Sequence, residues 1–137
     1  MDDETFLARF EDCTLAPEAM THEAHVRLAW LYLRRESFPE ALARVRAGLQ
    51  AFNRVHGVPD APDRGYHETL TVAWMRLVGA TIRAHGAGEG WEEFRAGHPH
   101  LFHRTLLRLF YSRGRILSAE AKAVFVEPDL LALPPSR

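Results

Sequence analysis

Apolar residues recur at spacings of three and four along most of this chain, and nowhere do they alternate with polar residues over a useful length. A pattern with the period of a helix cannot keep one apolar face when extended as a strand, so the sequence predicts an all-α protein. The expected architecture is a compact helical bundle of about four main helices with short accessory helices.

The first helix is expected over residues 3–12, with Phe6, Leu7 and Phe10 inward. Thr21 is a plausible N-cap for a second helix running to about Arg35, and Ser37 caps a third, with Pro39 and Glu40 in its first turn. The third helix turns Leu42, Val45, Leu49 and Phe52 inward and stops at Gly57. Val58 to Gly65 is the strongest loop signal, and it delivers Tyr66 and His67 to the start of a fourth helix that ends near His85.

A glycine-rich connection then leads to a short helix over 91–96, and Pro99 opens a further helix with Leu101, Phe102, Leu106, Leu109 and Phe110 inward. Tyr111 to Arg115 reads as a turn, and Ser118 caps a last helix over 119–125 that Pro128 closes. A length of 137 residues suits one core, so residues 1–133 form a single domain and 134–137 a frayed tail.

The formal net charge is −1, and the 16 arginines are scattered among 18 acidic residues, so neither nucleic acid nor a membrane surface is an expected partner. Cys13 is alone, which excludes an internal disulfide and any multi-cysteine metal site. The acidic start Met1-Asp2-Asp3-Glu4 is unlike a secretory signal, and no apolar run approaches the ~20 residues of a membrane span. The expected location is the cytoplasm, and homo-oligomers stay open. No glycine-rich loop for a nucleotide cofactor and no serine-nucleophile elbow is present.

Two helices begin with a histidine in line with their apolar stripe. His22, Val26, Ala29 and Leu33 share one stripe, and His67, Leu70, Trp74 and Leu77 the other. Both imidazoles are expected to point inward, where a polar ring needs a hydrogen bond or a ligand. His22 and His25 are three apart, close enough on a helix to reach one ion, and His67 with Glu68 adds a nitrogen and an oxygen from a second helix start. Three nitrogens and a carboxylate suit Zn, Fe or Mn. A helix N-terminus disfavours the protonated imidazole and so favours the form that binds metal or acts as a base. The bland reading, histidines bonded to backbone or neighbouring carboxylates, stays open beside it.

His98, His100 and His103 form a second cluster, read as a solvated helix start, although His103 lies in register with Phe110. His56 and His85 sit at helix C-termini, where structural capping suffices. Arg113 and Arg115 flank a glycine in a turn able to hold a carboxylate or phosphate; equally they can pair with Glu127 and Asp129 and pin the C-terminal segment.

With these residues in view, the chain resembles a group of small, uncharacterised bacterial proteins. They are similar in sharing Thr-His-x-x-His, Gly-Tyr-His-Glu-Thr, Tyr-Ser-Arg-x-Arg and Val-Glu-Pro-Asp-Leu, here Thr21 to His25, Gly65 to Thr69, Tyr111 to Arg115 and Val126 to Leu130. The resemblance implies that the four segments belong to one site or one structural lock. Gly114 departs from it, since the group pattern carries a larger residue there.

The leading expectation is a divalent-metal pocket supporting hydrolysis or oxygen chemistry. His22, His25 and His67 would be ligands, and Glu68 a fourth ligand or the catalytic base that activates water. Tyr66, Arg113, Arg115 and Glu127 would support the ligands or contact substrate. The alternative is a non-catalytic module that binds a small anionic ligand or a protein, with an exposed Trp91 on the partner surface.

Overall fold

In the computed structural model, residues 1–136 are described and the chain is all-helical. Its helices are α1 (Asp3–Glu11), α2 (His22–Leu33), α3 (Phe38–Val55), α4 (Glu68–His85), α5 (Trp91–Gly97), α6 (Arg113–Ile116) and α7 (Ala119–Ala123). Short 3-10 turns cover Pro17–Ala19, Pro99–Phe102 and Arg104–Leu109. Among the described residues there is no strand, only an isolated bridge between Ala61 and Arg64 in the long loop. No described helix is long and apolar enough to cross a membrane. Arg137, the last residue of the expected tail, lies outside the described residues; within that tail, the Pro135 carbonyl accepts a hydrogen bond from Arg83 Nη2 at 2.9 Å.

Local chemistry places most of the helix starts. Thr21, Ser37 and Ser118 each accept the backbone N–H three residues on, as the sequence predicts, and Asp2 and Ser112 do the same for α1 and α6. Each cap satisfies an N–H that has no partner within its helix.

The bundle is organised around α2, which packs on α1, α3 and α4 and buries an almost continuous run from Leu28 to Tyr32. Trp30 is fully buried, with its indole N–H donated to the Ala87 carbonyl at 2.9 Å. Trp91 and Phe94 of α5 lie on it at centroid distances of 5.4 and 5.9 Å. Trp91 is therefore core, 6% exposed, and not the partner-surface residue expected from sequence. The turn through Gly86 to Gly90, with Gly86 and Gly88 at positive φ, folds α5 back over α2.

The segment after Pro99 also departs from expectation. It forms two 3-10 turns broken at His103, and Leu109 is 56% exposed. With about three residues per turn, apolar side chains spaced for an α-helix no longer share one face. The expected turn at 111–115 is the start of α6, a single helical turn capped by Ser112. This segment returns across the starts of α2 and α4, tied to His22 through the Leu101 carbonyl and to His67 through the Ile116 carbonyl, each at 2.9 Å.

The C-terminal segment is laced to the same cover. Tyr111 Oη donates to the Val126 carbonyl at 2.6 Å, and the Leu130 N–H donates to the Phe110 carbonyl at 2.9 Å. The wholly buried Thr69 hydroxyl donates to the Val124 carbonyl at 2.9 Å and accepts from the Val126 N–H at 3.1 Å.

Candidate functional site

The starts of α2 and α4, the second half of α3 and the cover segment enclose a cleft of about 1140 Å³. Its size is slightly above the range of about 300–1,000 Å³ typical of small-molecule sites. Leu28, Leu49, Leu70, Met75 and Leu107 give it apolar walls, and the rings of Trp74 and His22 meet at a steep angle with their centroids 4.5 Å apart. Three arginines, Arg104, Arg108 and Arg113, also line it, whereas no aspartate or glutamate does. None of the three arginines makes an ion pair among the described residues.

His22, His25 and His67 all line this cleft, because α2 packs against α4 and sets the two helix starts side by side. Backbone carbonyls set their tautomers, because a carbonyl oxygen only accepts and the facing ring nitrogen must carry the hydrogen. His22 donates Nε2–H to Leu101, and His25 donates Nδ1–H to the Thr21 carbonyl at 2.8 Å. The second ring nitrogen of each takes no hydrogen bond from a described residue. His67 differs: it donates Nε2–H to Ile116, while its Nδ1 accepts the Leu70 N–H at 3.0 Å as the N-cap of α4.

All three imidazoles titrate below their usual value. Desolvation is the main cause for each; the Arg104 charge adds to it for His22 and His25, and the Lys122 charge for His67. His25 is solvent-accessible by surface area, yet enough protein surrounds it to desolvate the ring. Both hold for a side chain on the wall of a concave cleft.

Glu68 turns away from the histidines. It faces a second groove, where its carboxylate accepts two hydrogen bonds from Arg46, at 2.9 and 2.6 Å, and one from Tyr66 Oη at 2.6 Å. Burial pushes the Glu68 pKa up, but the Arg46 and Tyr66 hydrogen bonds outweigh it and hold the carboxyl below its ordinary range. Tyr66 lines both the groove and the cleft, and its hydroxyl is pushed up to about 12, chiefly by desolvation.

The expected four-ligand metal shell is therefore not assembled. Both nitrogens of His67 are committed to the backbone, the Glu68 oxygens belong to Arg46 and Tyr66, and His22 and His25 are left with one free nitrogen each. Among the described residues no three histidine, cysteine or acidic side chains are placed to hold a metal ion. These residues do not fit the expected zinc, iron or manganese centre.

The expected pairing of Arg113 and Arg115 with Glu127 and Asp129 is replaced by another lock. Ser112 meets Asp129, its N–H at 2.8 Å and its hydroxyl at 2.5 Å, and Arg115 donates Nε–H to the Glu127 carbonyl at 2.6 Å. Ser112, as cap of α6, lies closer to Asp129 than the arginines that follow it, and Arg113 is left on the cleft. His56 Nε2 donates to the Cys13 carbonyl at 2.9 Å, and His98 stacks on His85 and Phe94; His103 is exposed.

Arg104 and Arg108 were not among the residues singled out from sequence. The signal was present: between Glu93 and Glu120 the chain holds five arginines and no acidic residue. No family model, curated protein or solved structure matches this chain.

Proposed function

We propose that the protein binds a small amphipathic anion, an apolar body carrying a carboxylate or phosphate head, in the histidine-lined cleft. The observation that carries this reading is that Arg104, Arg108 and Arg113, unpaired among the described residues, stand in a largely apolar cleft that no described carboxylate lines. A guanidinium offers hydrogens in a planar fork suited to carboxylate or phosphate oxygens, and the three arginines are exposed and so open to an incoming anion. Burial of the ligand's apolar body against the partly exposed Leu70, Trp74 and Ile116 supplies the non-directional part of the affinity, on the order of 25 cal/mol per Å².

Trp74 lines the cleft, whereas Trp30 and Trp91 are buried in the core, so intrinsic fluorescence reports on ligand at Trp74. Titration with alkyl and aryl carboxylates and phosphate monoesters is expected to give saturable binding that weakens with salt. Replacing Arg104 and Arg113 together by glutamine lowers the affinity by about tenfold or more, since hydrogen bonds to charged groups contribute about 1.5–3 kcal/mol. No binding across the panel, or binding indifferent to that double replacement, overturns the reading.

A further inference from the structure

His25 makes a demand on the ligand that the arginines do not. A neutral imidazole has one donor and one acceptor, and the Thr21 carbonyl, 2.8 Å from Nδ1, takes the donor. The lone pair is consequently on Nε2, which no described residue uses. The opposite tautomer would set a lone pair against the carbonyl's own lone pairs. Arg104, on the wall of the same cleft, is close enough for its charge to disfavour protonation of both His22 and His25, and a guanidinium only donates. The polar wall of the cleft therefore places guanidinium donors near a fixed acceptor.

A plain carboxylate satisfies only half of this wall, leaving the His25 acceptor to water. An α-amino acid fares worse, because its ammonium would stand near Arg104 with no carboxylate lining the cleft to hold it. A hydroxyl beside the carboxylate meets both requirements, giving its hydrogen to Nε2 while the carboxylate takes guanidinium hydrogens. We infer that the cleft selects α-hydroxy carboxylates with an apolar body, with His25 as the acceptor that reads the hydroxyl and Arg104 as the donor that reads the carboxylate. The inference rests on the anion-binding reading above and deepens it by naming the head group.

The test compares acids that differ only by that hydroxyl: phenyllactate against phenylpropionate, and α-hydroxyoctanoate against octanoate, by Trp74 fluorescence or calorimetry. The hydroxy acid is expected to bind the wild-type protein about tenfold more tightly, as for a site that leaves a polar group unpaired with the wrong ligand. In His25→Phe the preference falls to within about twofold, with an unchanged circular-dichroism spectrum and thermal transition showing that the variant is folded. In His25→Gln, whose amide oxygen can accept, part of the preference returns. Equal affinity of wild-type protein for both members of each pair overturns the head-group inference and leaves anion binding standing. Failure of all four acids to bind overturns the head-group inference, and failure of the phosphate monoesters as well overturns both.

Discussion

Arg46 grips Glu68 through two hydrogen bonds, Nε to one carboxylate oxygen at 2.9 Å and Nη2 to the other at 2.6 Å, in the groove beside the histidine cleft rather than within it. A carboxylate held in this way, with Tyr66 Oη on it as well, serves the fold. Glu68→Ala is expected to lower stability by about 1–2 kcal/mol, the low end for a charged pair because the Arg46 side chain is 37% exposed. Urea denaturation measures the loss. The Glu68 carboxyl titrates lower in the folded state, so its contribution is present above the ordinary glutamate value of 4.5 and is lost as the pH falls through the lower folded value. The variant lacks that component of acid unfolding.

Zinc binding distinguishes this structural role from a ligand role. In equilibrium dialysis of protein without a histidine tag, His67→Ala and Glu68→Gln are expected to take up as much zinc as the wild type. One equivalent of zinc lost in either variant would restore the four-ligand centre.

His67 bridges two elements, capping α4 through Nδ1 and holding Ile116 of the cover through Nε2–H. His67→Ala removes both bonds and is expected to cost about 1–3 kcal/mol in thermal or chemical denaturation. His67→Asn recovers about half, since asparagine is a good N-cap but its side chain is too short to serve both partners. An alanine variant as stable as the wild type would show that the cover is held by other contacts.

Stability should rise with pH through the histidine range. His22, His25 and His67 have folded-state pKa values below the ordinary 6.5, so between those values and 6.5 the unfolded chain binds more protons than the folded one. Their effect is absent above about pH 7 and grows as the pH falls toward 5, where Tm decreases. A His25→Phe, His67→Asn double variant is expected to show a flatter Tm profile across this interval.

Gly65 sets the entry of the chain into the site. Its φ is +87°, and a Cβ placed there would stand 2.9 Å from the Pro59 carbonyl oxygen. Gly65→Ala is expected to cost about 1–3 kcal/mol and to weaken ligand binding by displacing Tyr66 and His67 from the cleft. Denaturation and the fluorescence titration check the two effects separately.

Much of the fold was legible in the sequence because its causes are local. The starts of α2, α3 and α7 follow from hydroxyl caps at Thr21, Ser37 and Ser118, each bonding a group three residues away, and the apolar stripes follow from the helical period. The same period turned His22 and His67 inward, but it was the packing of α2 against α4 that brought them, with His25, to one cleft. It failed after Pro99, where the backbone tightens into 3-10 turns and the spacing that places Leu109 inward no longer applies.

The sequence by itself determined most of the helices, several of their caps and the inward register of His22 and His67, all set by neighbours within a turn or two. Tertiary structure alone decided what each polar side chain does. His67 spends its second nitrogen on a carbonyl 49 residues away, Glu68 is claimed by Arg46 from α3, and Arg104, Arg108 and Arg113 are left on the cleft without an ion pair among the described residues. Hydrogen bonds and ion pairs are settled by which groups the folded chain brings within about 3 Å, and a helical period records only the face from which a side chain starts.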